Sequence, residues 1–280
     1  MKGVRVARLR EMGEILLHLR FPFVFVLSPI FVWGALWGAD WTGRTTLGFL
    51  LVHLALYPGA NAYNTAYDRD TGPIGGLARP PSVPGGLARG STALQASGAA
   101  LAPLIGWAFA AAYVVLWGIF TAYSHPRTRW KRSAWLSTFA IVGGQGGLGW
   151  FLGWTAAGGR PPLAGLDLWS LAAACAAVAA LYPFTQVYQL EADASRRDRT
   201  LAAALGVRGT LAWGGAWFLV VALCGGALGL PVVAVYAVIV AALAIAVSTA
   251  AGRRPPSHRA VMRVAYANSA LLLAMMAAAW

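Results

Sequence analysis

Two stretches of the chain, NTAYDRD at residues 64–70 and YQLEADASRRD at residues 188–198, decide how the sequence is interpreted. They hold five of the nine acidic residues of a 280-residue chain, and each lies at the end of an apolar segment. Carboxylates are costly beside hydrocarbon, so their concentration at these places calls for a functional interpretation. Two carboxylate groups that face one cavity can hold divalent cations and, through them, a diphosphate.

The remainder of the chain has the composition of a helical membrane protein. Hydrophobic residues make up 59% and charged residues 11% of the chain, whereas a soluble domain carries about 25% charged residues. We interpret the net charge of +13 as a topology signal, because Lys and Arg collect in cytoplasmic loops. No nucleic-acid partner is expected. Cys175 and Cys224 fall in apolar segments and are interpreted as buried thiols.

Apolar runs predict nine transmembrane helices within a single domain over residues 1–280. A spanning helix needs about 20 mostly apolar residues. The basic N-terminus is followed by an apolar run from Phe21 to Ala39 that is long enough to span, so we interpret it as a retained helix rather than a cleaved signal. The predicted spans are residues 20–38, 47–64, 92–107, 109–124, 135–154, 165–184, 209–226, 231–250 and 263–280.

Charge placement favours nine spans over eight. Residues 91–124 carry no charge and form either one long helix or two short ones that turn near Pro103 and Gly106. With two short helices and a cytoplasmic N-terminus, 20 of the 22 Lys and Arg residues fall on one side, and Arg44 and Arg160 lie opposite. The positive-inside rule therefore predicts a multi-pass protein of the inner, cytoplasmic membrane.

The same topology places both acidic stretches on the cytoplasmic face, in loops at residues 65–91 and 185–208. The first loop is rich in Gly and Pro, so we expect it to be irregular and able to close over a site.

The second predicted helix carries a stripe of polar residues. At 100° per residue, one face of this helix presents His53, Tyr57, Asn61, Asn64 and Asp68. In lipid such a stripe should face the interior of the bundle. We take Tyr57 and Asn61 as candidates for substrate binding, and Asn64 and Asp68 for catalysis. The alternative is helix–helix hydrogen bonding, which fits His53 and Tyr57 better than the other residues.

The spacing of the carboxylates indicates a magnesium site. Asp68 and Asp70 are separated by one residue where Gly72-Pro73 ends the helix. In the second stretch, Glu191 and Asp198 lie seven residues apart and would share a helix face. Mg²⁺ takes one or two carboxylates and leaves its other positions to water and phosphate. The candidate metal ligands are Asp68, Asp70, Glu191, Asp193 and Asp198.

Basic residues near both stretches can neutralise a diphosphate. The loop after the fourth span contains Arg127, Arg129, Lys131 and Arg132. We interpret this loop mainly as a topology determinant, with Lys131 as its candidate for contact with a diphosphate oxygen. Further candidates for substrate binding are Arg79, Arg197 and Arg199. Alternatively, the arginines at residues 196–199 pair with the second acidic stretch as a solvated face. Walker A, HExxH, CxxC and GxSxG patterns do not occur, which argues against the corresponding hydrolases.

At these residues the chain resembles the UbiA superfamily of intramembrane prenyltransferases, whose members have about nine helices and two Asp-rich motifs. The first motif of that superfamily, N-x-x-x-D-x-x-x-D, often has an added Asp in between. In this chain, Asn64, Asp68 and Asp70 resemble this motif, and Gly72 occupies the position where the last Asp is expected. The following Arg79-Pro80 is similar to an Arg-Pro pair of the superfamily.

Two further segments carry the resemblance. Residues 188–200 are similar to a variant of the second motif with a Tyr-Gln start, an acidic cluster and a terminal Arg-Asp-Arg-Thr. Residues 123–131 resemble the basic segment that follows the fourth helix. The implied fold is an all-α membrane protein, a UbiA-like bundle of nine transmembrane helices.

The resemblance implies that a polyprenyl group is transferred from its diphosphate to an acceptor, usually an aromatic one, with Mg²⁺ as cofactor. The implied partners are a prenyl diphosphate, a lipophilic or aromatic acceptor and membrane lipid. The residues expected to act in catalysis are Asn64, Asp68, Lys131, Tyr188 and Asp193. Tyr57, His53 and Tyr188 are open candidates for a general base. A membrane transporter and a catalytically silent, lipid-binding member of the same fold stay as alternatives.

Overall fold

The computed structural model of the protein describes residues 2–196, 198–250, 252 and 254–279. Helices dominate these residues, as the composition predicts. The α-helices are α1 Lys2–Leu19, α2 Phe21–Val24, α3 Ser28–Gly38, α4 Gly43–Leu50, α5 Tyr57–Asp68, α6 Leu87–Leu101, α7 Trp107–Ser124, α8 Ala134–Ile141, α9 Gly149–Ala156, α10 Leu166–Phe184, α11 Leu190–Arg196, α12 Leu201–Ala227, α13 Pro231–Ala250 and α14 His258–Ala279. Short 3₁₀ and π stretches join several of them.

Across the described residues, these helices form nine consecutive segments in the predicted order: α1–α3, α4–α5, α6, α7, α8–α9, α10–α11, α12, α13 and α14. Six stretches of the described chain are long and apolar enough to cross a membrane: Glu11–Gly38, Trp107–Ser124, Leu166–Ser195, Leu201–Ala227, Pro231–Ala250 and His258–Ala278. The predicted spans at residues 47–64, 92–107 and 135–154 are helical but are not among these six. The fold is therefore an all-helical bundle with six candidate spans, and the count of nine spans stays a prediction.

The outer surface of the bundle is apolar. Helix α13 exposes large hydrophobic side chains, among them Val232, Val235, Ile239 and Leu243. Apolar exposure on this scale is unusual for a soluble monomer and is what a lipid-facing helix requires.

Small residues bring α3 and α9 into close contact. A Cβ atom built on Gly34 would lie 2.0 Å from the carbonyl oxygen of Trp150, and one on Gly153 would lie 2.0 Å from that of Phe31. No side chain fits at either place, so the two backbones touch directly, as small residues permit in membrane helices. Pro29 and Ile30 of α3 line the cavity described below.

Two π-helical stretches interrupt the helices that line this cavity. Leu51–Leu56 lies between α4 and α5, and Val142–Leu148 lies between α8 and α9. The first has a local cause, because Pro58 lacks the N–H that would bond to the carbonyl of Leu54 and its ring crowds that turn. The second is rich in glycine and carries Gln145 at its centre. Such π stretches often occur at functional sites.

Candidate active site

The first acidic stretch is held at the end of α5. Asp68 is the last residue of this helix, and Arg69 follows in the left-handed conformation with φ 49°. The chain therefore turns sharply before Asp70. The segment that follows is tied to distant helices, because Gln189 Nε2 donates to the carbonyl of Pro73 at 3.0 Å and His258 Nε2 donates to that of Ile74 at 2.9 Å. These bonds hold the first acidic stretch beside the second.

The second stretch folds differently from the sequence-based expectation. Helix α11 ends at Arg196, so Glu191 and Asp198 do not share one helix face. Glu191 is exposed, whereas Asp193 and Asp198 are only 4% and 6% exposed. The backbone N–H of Asp198 donates to the carbonyl of Asp193 at 3.0 Å, which folds the chain back and buries both carboxylates.

Thr200 secures this arrangement. Its hydroxyl donates to Asp193 Oδ2 at 3.0 Å and accepts a hydrogen bond from the backbone N–H of Ala203 at 3.2 Å. The second contact caps α12, which therefore begins at Leu201, inside the loop predicted at residues 185–208. Gly206, with φ 63°, then kinks α12.

Both acidic stretches line one cavity of about 230 Å³. This cavity brings together most of the residues that the sequence singled out. Those in its wall are Tyr57, Asn61, Asn64, Asp68, Asp70, Lys131, Tyr188, Asp193 and Asp198. Glu191, Arg79 and Arg199 are exposed and do not line it. Arg197 lies outside the described residues.

A network of ion pairs connects the two stretches. Lys131 Nζ pairs with Asp68 Oδ1. Arg129 bridges the motifs, because its Nη1 lies 3.6 Å from Asp68 Oδ1 and its Nη2 lies 3.2 Å from Asp198 Oδ2. The sequence pattern assigned Arg129 only to topology. No feature of the basic loop marks it as different from the exposed Arg127 and Arg132.

Lys131 is the most deeply buried cation of that loop, with 6% exposure. Burial lowers the pKa of Lys131, and the adjacent Asp68 carboxylate raises it without fully compensating. An ammonium held so far from water gains from any further anion that reaches it.

Arg20 is a second buried cation in the cavity wall. It lies between α1 and α2 with φ 53°, and it is 8% exposed. Its Nη2 donates to the carbonyl of Asn61 at 2.9 Å and its Nη1 donates to that of Gly75 at 3.5 Å. The sequence patterns did not single out Arg20 as a site residue. A single Arg directly before a long apolar run was the available signal.

The donor set of the cavity suits a hard cation. Among the residues the structure describes, no three Asp, Glu, His or Cys side chains form a group already placed to hold a metal ion. The cavity nevertheless presents oxygen ligands from Asp68, Asp70, Asp193 and Asp198. Mg²⁺ needs only one or two carboxylates and takes waters and substrate phosphates at its other positions. The residues therefore fit Mg²⁺ that binds together with a phosphate-bearing ligand.

The molecule is thus a helical bundle in which two acidic motifs surround one cavity. The sequence model of the UbiA prenyltransferase family matches residues 23–274. The chain belongs to this family, which confirms the resemblance seen in the sequence. No curated protein sequence matches it.

Solved structures share the fold. A UbiA homologue from Archaeoglobus fulgidus bound to Cd²⁺ has a TM-score of 0.70 at 18% identity, covering 94% of this chain and 97% of that one. The homologue bound to GPP and Mg²⁺ has a TM-score of 0.66 at 19% identity, covering 95% and 98%. An apo UbiA homologue from Aeropyrum pernix K1 gives 0.62 at 22% identity, covering 91% and 97%. These likenesses confirm the UbiA-like fold over nearly the whole chain.

Proposed function

We propose that this protein transfers a prenyl group from a prenyl diphosphate to a lipophilic acceptor within the membrane, with Mg²⁺ as cofactor. The observation that carries the proposal is the single cavity lined by Asp68, Asp70, Asp193 and Asp198 together with Lys131. The A. fulgidus homologue bound to GPP and Mg²⁺ supports the choice of donor and metal. The positive-inside distribution of Lys and Arg supports an active site that faces the cytoplasm.

The carboxylate-lined end of the cavity is where the diphosphate would bind. Asp68 and Asp70 on one side and Asp193 and Asp198 on the other would hold Mg²⁺. When bound, Mg²⁺ neutralises the diphosphate and makes it a better leaving group. Asp70 offers a carboxylate two residues before Gly72, the position at which the family pattern expects one. The loss of that acidic residue therefore does not leave the first motif with a single acid.

Lys131 would exchange partners during binding. In the structure its ammonium pairs with Asp68, which Arg129 also contacts. A diphosphate oxygen can take the place of Asp68, because Arg129 stays beside that carboxylate and limits the cost of the exchange. The Lys131 ammonium then holds the leaving group as negative charge develops on it.

Aromatic rings line the region next to the diphosphate end. They are Tyr123, Tyr182 and Tyr188. Loosening of the allylic C–O bond leaves positive charge on the prenyl carbon, and ring faces stabilise such a charge. The same rings exclude water from that carbon, so that the acceptor attacks it instead.

A second cavity offers a place for the prenyl tail. Its volume is about 270 Å³, and apolar side chains such as Trp33, Val221 and Met276 line it. Both cavities share Pro29, Ile30, Ala177 and Leu272 in their walls. A prenyl diphosphate with its head at the carboxylates can therefore extend its tail past Ala177 into an apolar space.

Two substitutions test the proposal. Asp68→Asn and Asp193→Asn keep the size of each side chain and remove its charge. We expect each to lower prenyl transfer from labelled geranyl diphosphate by about 100-fold or more, because metal-assisted departure of the diphosphate is lost. Asp40→Asn, which changes an exposed acid outside the cavity, is the matched control. Full retention of transfer by both cavity variants would refute the proposal, as would tight donor binding with no turnover across a broad acceptor panel.

A further inference from the structure

The main cavity has a charged end and an uncharged end. Its charged wall residues are Arg20, Asp68, Asp70, Lys131, Asp193 and Asp198. Five of them lie near the acidic stretches. Arg20 lies between the two ends, because it binds the carbonyl of Gly75 and that of Asn61, which is seven residues before Asp68 and four after Tyr57. Tyr57 begins α5, eleven residues before Asp68. At the helical rise per residue, Tyr57 lies about 16 Å further along the helix than the carboxylates.

The deep end is polar although it carries no charge among the described residues of its wall. Its polar side chains are Tyr57, Gln145, Asn268 and Ser269, and the Ser269 hydroxyl already lies within hydrogen-bond distance of the carbonyls of Val26 and Ala265. Asn268 lies ten residues into α14, whose first residue, His258, contacts the loop after the first acidic stretch. The Tyr57 hydroxyl lies close to the start of α9, since a Cβ atom on Gly149 would be 2.9 Å from it. Gln145 precedes Gly149 by one helical turn.

Two buried polar atoms at this end lack partners among the described residues. Tyr57 is 2% exposed and its hydroxyl makes no hydrogen bond to any described residue. The Nδ2 of Asn268 is also buried and has no partner in the described part of the chain, although Asn268 Oδ1 accepts a hydrogen bond from Tyr236. Buried donors left unsatisfied are costly and rare. Their presence in the wall of a cavity indicates a ligand that supplies hydrogen-bond acceptors.

The prenyl tail does not meet this need. An isoprenoid chain has no hydrogen-bonding group, and the second, apolar cavity lies open to it past Ala177. The deep polar end is therefore the place where the acceptor would bind.

Electrostatics restricts which acceptor can enter. A carboxylate or phosphate group beside Tyr57 would be buried without a cation to pair with, which is strongly unfavourable. Lys131 lies at the other end, where it pairs with Asp68, and the Arg20 guanidinium is held nearer the acidic stretches than Tyr57 is, by the carbonyls of Asn61 and Gly75. An uncharged hydroxyl or carbonyl oxygen instead accepts hydrogen bonds from Tyr57 and Asn268 without this penalty.

We infer that the acceptor is an uncharged polar molecule, such as a neutral phenol or hydroquinone, whose oxygens are bound by Tyr57, Gln145 and Asn268. This inference rests on the proposed prenyl transfer. It names Gln145 and Asn268 as residues that determine acceptor specificity, and it disfavours acceptors that bring a carboxylate or phosphate into the deep end.

Paired phenols test the inference. The full chain is loaded with Mg²⁺ and geranyl thiolodiphosphate, and binding of 4-hydroxybenzyl alcohol and 4-hydroxybenzoate is measured by calorimetry, with neutral hydroquinones and their carboxylates as further pairs. We expect the neutral member of each pair to bind at least about tenfold more tightly, because the anion is desolvated without a partner. Gln145→Arg should reverse the preference. Tighter or equal binding of the carboxylates by wild type, or binding of no neutral probe, overturns the inference.

Tyr57→Phe separates the role of the hydroxyl from any effect on folding. This substitution should weaken the binding of the neutral probes about tenfold and leave the affinity for the thiolodiphosphate unchanged. Tyr63→Phe makes the same change on the same helix outside the cavity wall, and should alter neither affinity. Failure of wild type to bind the thiolodiphosphate with Mg²⁺ would defeat the proposed function itself. Normal binding of that donor followed by a preference for carboxylates would defeat only the inference about the acceptor.

Discussion

Lys131→Gln removes a buried ammonium from the wall of the cavity while keeping a polar side chain of similar length. Lys131 is 6% exposed and pairs with Asp68. Breaking a buried ion pair costs about 3–5 kcal/mol of folding stability. Asp68 keeps Arg129 at 3.6 Å, so we expect a loss near the lower end of that range.

The effect on catalysis follows from the same contact. A hydrogen bond to a charged group contributes about 1.5–3 kcal/mol, which corresponds to roughly a 10- to 150-fold loss in kcat/KM for the prenyl diphosphate. The proposal places Lys131 on the leaving diphosphate, so the loss should appear in kcat as well as in KM.

The assay measures transfer of the prenyl group from labelled geranyl diphosphate by purified protein. The helical content in detergent and the thermal unfolding of each variant are recorded alongside. Arg132→Gln is the matched control, because it removes the neighbouring, exposed cation. Its kcat/KM should stay within about twofold of wild type, as expected for an exposed charge. The reasoning is refuted if Lys131→Gln keeps wild-type kcat/KM, or if both variants lose the same amount.

Three further outcomes are expected. Removal of divalent cations with a chelator should abolish transfer and added Mg²⁺ should restore it, whereas transfer that persists in the chelator would contradict the proposed cofactor role. Ala177→Phe should narrow the passage between the two cavities and reduce transfer of geranyl more than of dimethylallyl groups in a direct competition, and an equal reduction of both would contradict the placement of the tail. Gly153→Ala should lower the unfolding temperature, because its Cβ atom would overlap the carbonyl of Phe31. Gly118→Ala should not lower it, because the space around Gly118 is open. Equal unfolding temperatures for the two variants would refute the close contact of α3 and α9.

Much of the architecture could be predicted because it depends on local composition. The order of the helical segments follows from apolar runs, and the two acidic stretches stand out because acids are so scarce elsewhere. Charge asymmetry predicted that both stretches lie on one face, and in the structure Asp68 and Asp193 line the same cavity. The membrane orientation of that face stays a prediction.

Details of the site depend on contacts between distant parts of the chain, which no local pattern encodes. Arg129 and Arg132 look alike in the sequence, yet Arg129 bridges Asp68 and Asp198 while Arg132 is exposed. Regular helical spacing predicted that Glu191 and Asp198 lie on the same face of one helix. The helix ends at Arg196, so Asp198 is not part of it.

The central claim is that one diphosphate lies between two acidic stretches that are far apart in the sequence. An experimental structure with Mg²⁺ and geranyl thiolodiphosphate tests it most directly. The account predicts a diphosphate within reach of Lys131, with Mg²⁺ held by at least one of Asp68 and Asp70 and at least one of Asp193 and Asp198. A diphosphate bound at only one stretch, or at another place in the bundle, would contradict it.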